Sequence, residues 1–284
     1  MSTDFMGIAC LDCVYVLDNY PTEDTKIRAI KNWNQAGGFA TNAAKTYSLL
    51  GGAARLHSCF GNDTNAIAVK DYLSIANLKL IDYADNDFPI PVSSILVNRN
   101  EGTRTVVSSA KDSDIEKLNT GIKVEGDVLF IDGFFIETAC NAVKQAKQKG
   151  VLIVFDADKW RDDQYINLIP QVDFVIAGNE FRPPNCETHE DVVKFFIDCG
   201  VKQFAITNGA HDIFAYDNGV KTLLPVKQVS CVDSLGAGDV FHGAFCYYIL
   251  KNNFIIALKK ASLVASEFCT DYGFNTDDTA VFGA

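Results

Sequence analysis

From Val128 onward the chain alternates short apolar runs with amphipathic stretches, and this rhythm restricts the fold more than any other feature. Val128 to Ile131, Val151 to Phe155, Phe174 to Ile176 and Phe204 to Thr207 read as strands. Glu137 to Gln148 and His189 to Cys199, between them, carry helical periodicity. Strands that apolar need cover on both faces, and intervening helices supply it. The expectation is an α/β fold built on a mostly parallel sheet, with ligands at the carboxyl ends of its strands. Ile213 to Tyr216 and Lys221 to Leu224 read as a late antiparallel hairpin, and Asp239 to Leu250 and Ile255 to Cys269 as closing helices.

The first half is less regular. Phe5 to Leu17 reads as one long strand and Lys26 to Trp33 as a second. A helix over Gly38 to Leu50, a strand over Ala53 to Phe60 and a helix over Asp63 to Ala76 follow. Ser93 to Asn98 and Thr103 to Ser109 form a hairpin around a turn ending at Gly102. Strands within about 12–33 and 93–109 break the α/β rhythm and suggest a small β-sheet lid on a single domain spanning 1–284.

Composition removes several function classes. A formal net charge of −11 argues against nucleic acid or an anionic membrane as partner. No apolar stretch is long enough to span a bilayer, and MSTDFMGIAC lacks the basic and apolar regions of a secretory signal. Nine scattered cysteines fit reduced thiols and a cytoplasmic location. Cys10 and Cys13 form a CxxC without a second pair, and the four histidines are dispersed, so no metal cluster is expected. A phosphate loop ending in GK[ST] is absent, as is GxGxxG after a strand.

The stretch VDSLGAGDVFHGAF (232–245) reads as a strand end, a glycine turn and a helix start. Gly236 and Gly238 permit unusual backbone angles and close ligand approach. Free amides at a helix start favour an anion such as phosphate. Asp239, within that site, repels phosphate unless it has a task, and taking a proton from a hydroxyl is such a task. GAGD alone fits a capped helix start equally well. The longer string, with Asp233, Phe241, Gly243 and Ala244 in register, resembles the C-terminal signature of the ribokinase-like, or pfkB, carbohydrate kinases.

The stretch from Leu11 to Gly52 is similar to the start of that family, and most similar to ketohexokinases. Leu11-Asp12, the Tyr-Pro-x-Glu-Asp segment, Ile27-Arg28, Trp33 and the Gly-Gly-x-x-x-Asn run carry the likeness. On the residues alone, Asp12 can accept from two hydroxyls, Asn42 offers a donor and an acceptor, and Gly37 and Gly38 let a sugar approach the backbone.

The resemblance implies a three-layer ribokinase-like sandwich and an ATP-dependent sugar kinase acting on a ketohexose such as fructose. It implies sugar binding by Asp12, Gly37, Gly38 and Asn42, with Asp24 reaching a partner's sugar site in a homodimer joined through the lid. It places Arg104, Thr207, Gly209, Gly236, Gly238 and Ser262 at the nucleotide. Asp239 would be the base, and the turn of Gly236, Ala237 and Gly238 would hold the transferring charge. Mg2+ would accompany ATP, and Asp233 and Ser234 would either shape the loop or help bind a monovalent cation such as K+.

Some positions depart from the pattern. Phe39 stands where ketohexokinases carry a sugar-contacting asparagine, and Asp212 replaces a glycine. Asp132-Gly133-Phe134 lacks the arginine of sulfofructose kinases, and Asn179-Glu180 with Arg182 only partly matches a magnesium motif. Ribose, a keto-deoxy sugar acid or a nucleoside therefore stay open as acceptors, as does a non-catalytic sugar or nucleotide sensor.

Overall fold

The computed structural model describes residues 1–85, 87–110 and 121–274. In chain order the strands are β1 (Ser2–Met6), β2 (Cys10–Leu17), β3 (Lys31–Gly37), β4 (Ala53–Ser58), β5 (Leu78–Asp82), β6 (Val92–Asn98), β7 (Thr103–Ser108), β8 (Val128–Ile131), β9 (Leu152–Ala157), β10 (Phe174–Gly178), β11 (Gln203–Asn208), β12 (His211–Asp217) and β13 (Val220–Leu224). The helices are α1 (Phe39–Leu49), α2 (Thr64–Tyr72), α3 (Ile136–Lys149), α4 (Tyr165–Leu168), α5 (His189–Asp198), α6 (Ala237–Ile249) and α7 (Phe254–Phe268).

A nine-stranded sheet runs β13-β12-β11-β10-β9-β8-β1-β4-β5. Its strands from β5 to β11 are parallel, and β12 and β13 close one edge as an antiparallel hairpin. All four residues of β8 are buried, which is why its sequence is uninterruptedly apolar. Phe130 faces a core shared with α1, α6 and α7, while Leu129 and Ile131 face α3 and α5. This is the α/β sandwich expected from the sequence.

A second sheet runs β3-β2-β6-β7. Val14, Val16, Ile95 and Val97 on its inner face pack against Trp33, Leu235 and Tyr272. Leu235 lies two residues before α6, next to its cap Gly236, so the small sheet is seated beside the glycine turn.

The structure corrects the sequence reading in several places. Phe5 to Leu17 is two strands in different sheets. The chain leaves the large sheet after Gly7, where the Ile8 amide donates to Asp132 Oδ2 at 2.9 Å instead of to a strand. Lys26 to Ile30 is irregular, because Ile27 and Ile30 find no cover, and β3 pairs with β2 only from Lys31. No strand precedes the glycine turn. There the Val232 and Asp233 amides donate to the Cys269 carbonyl, and Leu235 N donates to Asp233 Oδ1. β5 adds a half-exposed strand at the far edge of the large sheet, where neither face is buried enough to leave an apolar run in the sequence.

Cys10 and Cys13 are three residues apart on one strand and so face opposite sides of it. All nine cysteines are free. Among the described residues, no helix is long and apolar enough to cross a membrane.

Candidate active site

Helices α1 and α6 both begin at the carboxyl edge of the large sheet. Gly236 caps α6 with left-handed φ 79°, a conformation costly for any residue with a Cβ. A Cβ on Gly238 would meet nothing within 4 Å, so the first turn of α6 faces open space. Asp239 lies in that turn, and its Oδ2 accepts a 2.8 Å hydrogen bond from Asn42 Nδ2 of α1. Burial pushes the Asp239 pKa well up, the Asn42 amide holds it back, and the neighbouring Asp158, Asp132 and Asp12 raise it further. A carboxylate so placed takes a proton more readily than an ordinary one. Asn42 Oδ1 is buried without a hydrogen-bond partner, leaving an acceptor for an incoming hydroxyl.

Asp12, on β2, is buried across the cleft. Burial raises its pKa to about 6, opposed by Cys10, Gln35 and the Lys45 ammonium. Cys10 Sγ donates to Asp12 Oδ1 at 3.2 Å. The glycine pair has a more specific task than general access. A Cβ at Gly37 would lie 2.1 Å from Asp12 Oδ2, and one at Gly38 (φ 109°) would lie 2.2 Å from the Ile8 carbonyl. The space they leave is occupied by the protein's own carboxylate and carbonyl. Asp132 Oδ2 also accepts from Ala40 N in the first turn of α1 at 3.2 Å, which fixes that helix start. Asp24 is exposed in the loop between β2 and β3 with φ 58° and takes no part in these hydrogen bonds.

On the other side of the α6 turn lies a cleft lined by Thr207, Gly209, Ser234, Gly238, Phe241 and Ser262. The structure thus gathers Thr207, Gly209 and Ser262 from β11, the loop after it and α7. Arg104 reaches from β7 to Ser234 Oγ at 3.0 Å, linking the small sheet to the turn.

A further wall is built by Phe39 and Phe134, two of the positions that depart from the family pattern, together with Arg161, which no sequence motif marks. Phe39 and Phe134 stack with centroids 6.0 Å apart, and the Arg161 guanidinium lies 5.3 and 4.9 Å from the two rings. Asp158 Oδ2 accepts from Arg161 Nη2 at 2.7 Å and so holds the guanidinium in place. An arginine does therefore stand beside Asp132-Gly133-Phe134, supplied by the loop after β9. Three separate segments build this wall, and no local motif announces it.

The profile of the pfkB family carbohydrate kinases matches residues 3–280. The chain is 25% identical over 246 residues to fructosamine kinase FrlD of Bacillus subtilis, covering 84% of each. It is 25% identical over 305 residues to the ketohexokinase of Mus musculus, covering 95% of this chain and 96% of the relative. In structure it is similar to the Arabidopsis thaliana ribokinase complexed with ribose and ATP, with TM-score 0.73, 16% identity, and 96% and 93% of the two chains covered.

Proposed function

The chain belongs to the pfkB family of carbohydrate kinases, and from that premise we propose that it transfers the γ-phosphoryl group of ATP to a hydroxyl of a ketohexose such as fructose. The hydrogen bond between Asn42 and Asp239 carries this reading. It places a raised-pKa carboxylate beside a buried amide oxygen left free to accept from a hydroxyl, on the helix turn that also lines an open cleft with Thr207, Gly209 and Ser262. In the proposed reaction Asp12 and Asn42 hold the sugar hydroxyls, and Asp239 takes the proton of the attacking one. The turn of Gly236, Ala237 and Gly238 receives the transferring charge on its amides. Arg104, with Thr207, Gly209 and Ser262, binds the nucleotide.

Among the described residues no group of three or more His, Cys, Asp and Glu forms a metal site. Mg2+ would arrive on the phosphates of ATP, neutralise their charge and be held there largely by water. Asp233 Oδ2 is buried without a hydrogen-bond partner, which fits a monovalent cation such as K+ beside the turn. The net charge of −11 supports small-molecule partners over nucleic acid or a membrane surface, and the free thiols support a cytoplasmic location.

The wall of Phe39, Phe134 and Arg161 favours a second reading, in which the acceptor is another small molecule such as ribose, a keto-deoxy sugar acid or a nucleoside. ADP release over a panel of ketoses, aldoses and nucleosides separates the two. Asp239→Asn is expected to lower turnover roughly 10³-fold without lowering the thermal midpoint. Turnover within tenfold of wild type removes Asp239 as the base. ATP binding without turnover of any panel member points to a sensor.

A further inference from the structure

His242 lies one helical turn along α6 from Gly238, buried at 6% exposure under the cleft that it helps to line. Its Nδ1 is 2.7 Å from the Gly238 carbonyl oxygen. A carbonyl only accepts, and the second carbonyl near the ring, that of Ile176, is farther off at 3.4 Å from Nε2, so a singly protonated ring carries its proton on Nδ1. Burial lowers the His242 pKa to about 4, so the ring is neutral near pH 7 and Nε2 presents a lone pair. Two oxygens face that lone pair, the Ile176 carbonyl at 3.4 Å and Asp156 Oδ1 at 3.5 Å. Of these only a protonated carboxyl has a hydrogen to offer. Asp156 is 3% exposed on β9, and burial with the nearby carboxylates of Asp239, Asp158 and Asp132 pushes its pKa well up. The consistent arrangement has Asp156 O–H facing Nε2 and Nδ1–H donating to Gly238.

The Gly238 carbonyl and the Asp239 amide belong to one peptide plane. Fixing the carbonyl fixes the amide, which in a trans peptide points the opposite way, out of the helix start. Gly238 has no side chain and open space around it, so its own packing does little to hold that plane. We propose that His242, steadied by Asp156, is a positioning residue that aims the Asp239 amide at the transferring phosphoryl group. The proposal rests on the kinase reading above. It is separable from a packing role, because the ring also contacts Phe130 and Phe241. Phenylalanine would keep those contacts and lose both nitrogens, whereas asparagine places an amide N–H near the position of Nδ1.

The test is calorimetric titration of His242→Phe and His242→Asn with ATP and with adenosine. The Phe variant is expected to bind ATP roughly tenfold to a hundredfold more weakly, as for one lost hydrogen bond to a charged group. Its adenosine affinity should stay within about twofold, since adenosine has no phosphate to hold. The Asn variant should recover most of the ATP affinity. Unchanged ATP affinity in the Phe variant overturns the assignment, and so does an Asn variant no better than Phe. If the Phe variant does not fold, Asp156→Asn and Asp156→Leu put the same question, because only the first keeps a donor to Nε2. There the Leu variant alone should lose ATP affinity, and equal affinities overturn the assignment. A wild-type chain that binds no ATP overturns the kinase reading and this assignment with it. A wild-type chain that binds ATP, with variants indistinguishable from it, overturns this assignment alone.

Discussion

Two buried aspartates show how neighbours decide what a carboxylate can do. Asp4 is fully buried, and burial alone would raise its pKa. His57, Arg55 and the amides of Glu125 and Gly126 outweigh that and hold it well below the usual range, with Arg55 bound at 2.6 and 3.1 Å. Asp12 is nearly as buried but has fewer donors, and burial raises it from 3.8 to about 6. The folded state therefore binds the Asp12 proton more tightly than the unfolded chain does. Its contribution is most favourable below about pH 4 and is lost as pH rises through 6. At pH 7.5 the ionised carboxylate costs roughly 3 kcal/mol, at about 1.4 kcal/mol per pKa unit. Asp12→Asn removes that titration. We expect it to raise the thermal midpoint at pH 7.5 by a few degrees, with the gain growing between about pH 4 and 6 and constant above about 7. Melting curves across that range check it, and a gain that shrinks with rising pH would contradict it. The same variant should bind sugar poorly, since stability is given up here for two hydroxyl acceptors.

At the scale of elements, the site depends on how closely α1 approaches α6. A Cβ on Gly243 would lie 2.2 Å from the Ala43 carbonyl and 2.8 Å from Thr46 Cβ, so the helices cross over a glycine. The same two helices carry Asn42 and Asp239. Gly243→Ala must push them apart, at a cost of about 1–3 kcal/mol, and lengthen the hydrogen bond between the two residues. A lower melting temperature together with lower kcat is expected, and an unchanged melting temperature would show the crossing to be looser. The glycine turn at 236–238 and the Gly-Gly-x-x-x-Asn run were legible because glycine and helix-start chemistry are local. The buried strands were legible because cover on both faces leaves an uninterrupted apolar run. The break between β1 and β2 was not, because both are apolar and Asp132 makes the break from a distant strand end. The Phe39–Phe134–Arg161 wall was hidden for the same reason, and His242 looked isolated because its partner Asp156 belongs to β9.

The whole molecule leaves one surface unfinished. Every residue of β7 is exposed, although two successive ones are Val106 at 50% and Val107 at 63%. Register places Val106 beside Ile95 and Val107 beside Ser94, so the two point to opposite faces of the small sheet. β7 is also an edge, with no strand beyond it among the described residues. Tyr15, Ile27 and Ile30 add exposed apolar surface on or beside the same sheet. An uncovered apolar edge invites pairing with another chain unless charge or a bulge prevents it. A second copy is the occupant we propose, with Asp24 on the same projection and free to meet a partner. Wild-type protein should then scatter light as a particle of twice 31.1 kDa at micromolar concentration. Val106→Lys combined with Val107→Lys places charge on both faces of the edge and should return it to 31.1 kDa. Because Asp12 and Arg104 stand on this same sheet, losing the partner should also weaken sugar and nucleotide binding. Wild-type protein at 31.1 kDa would mean that the edge is covered by nothing of its own kind, and the lysine pair would then leave both affinities where they were.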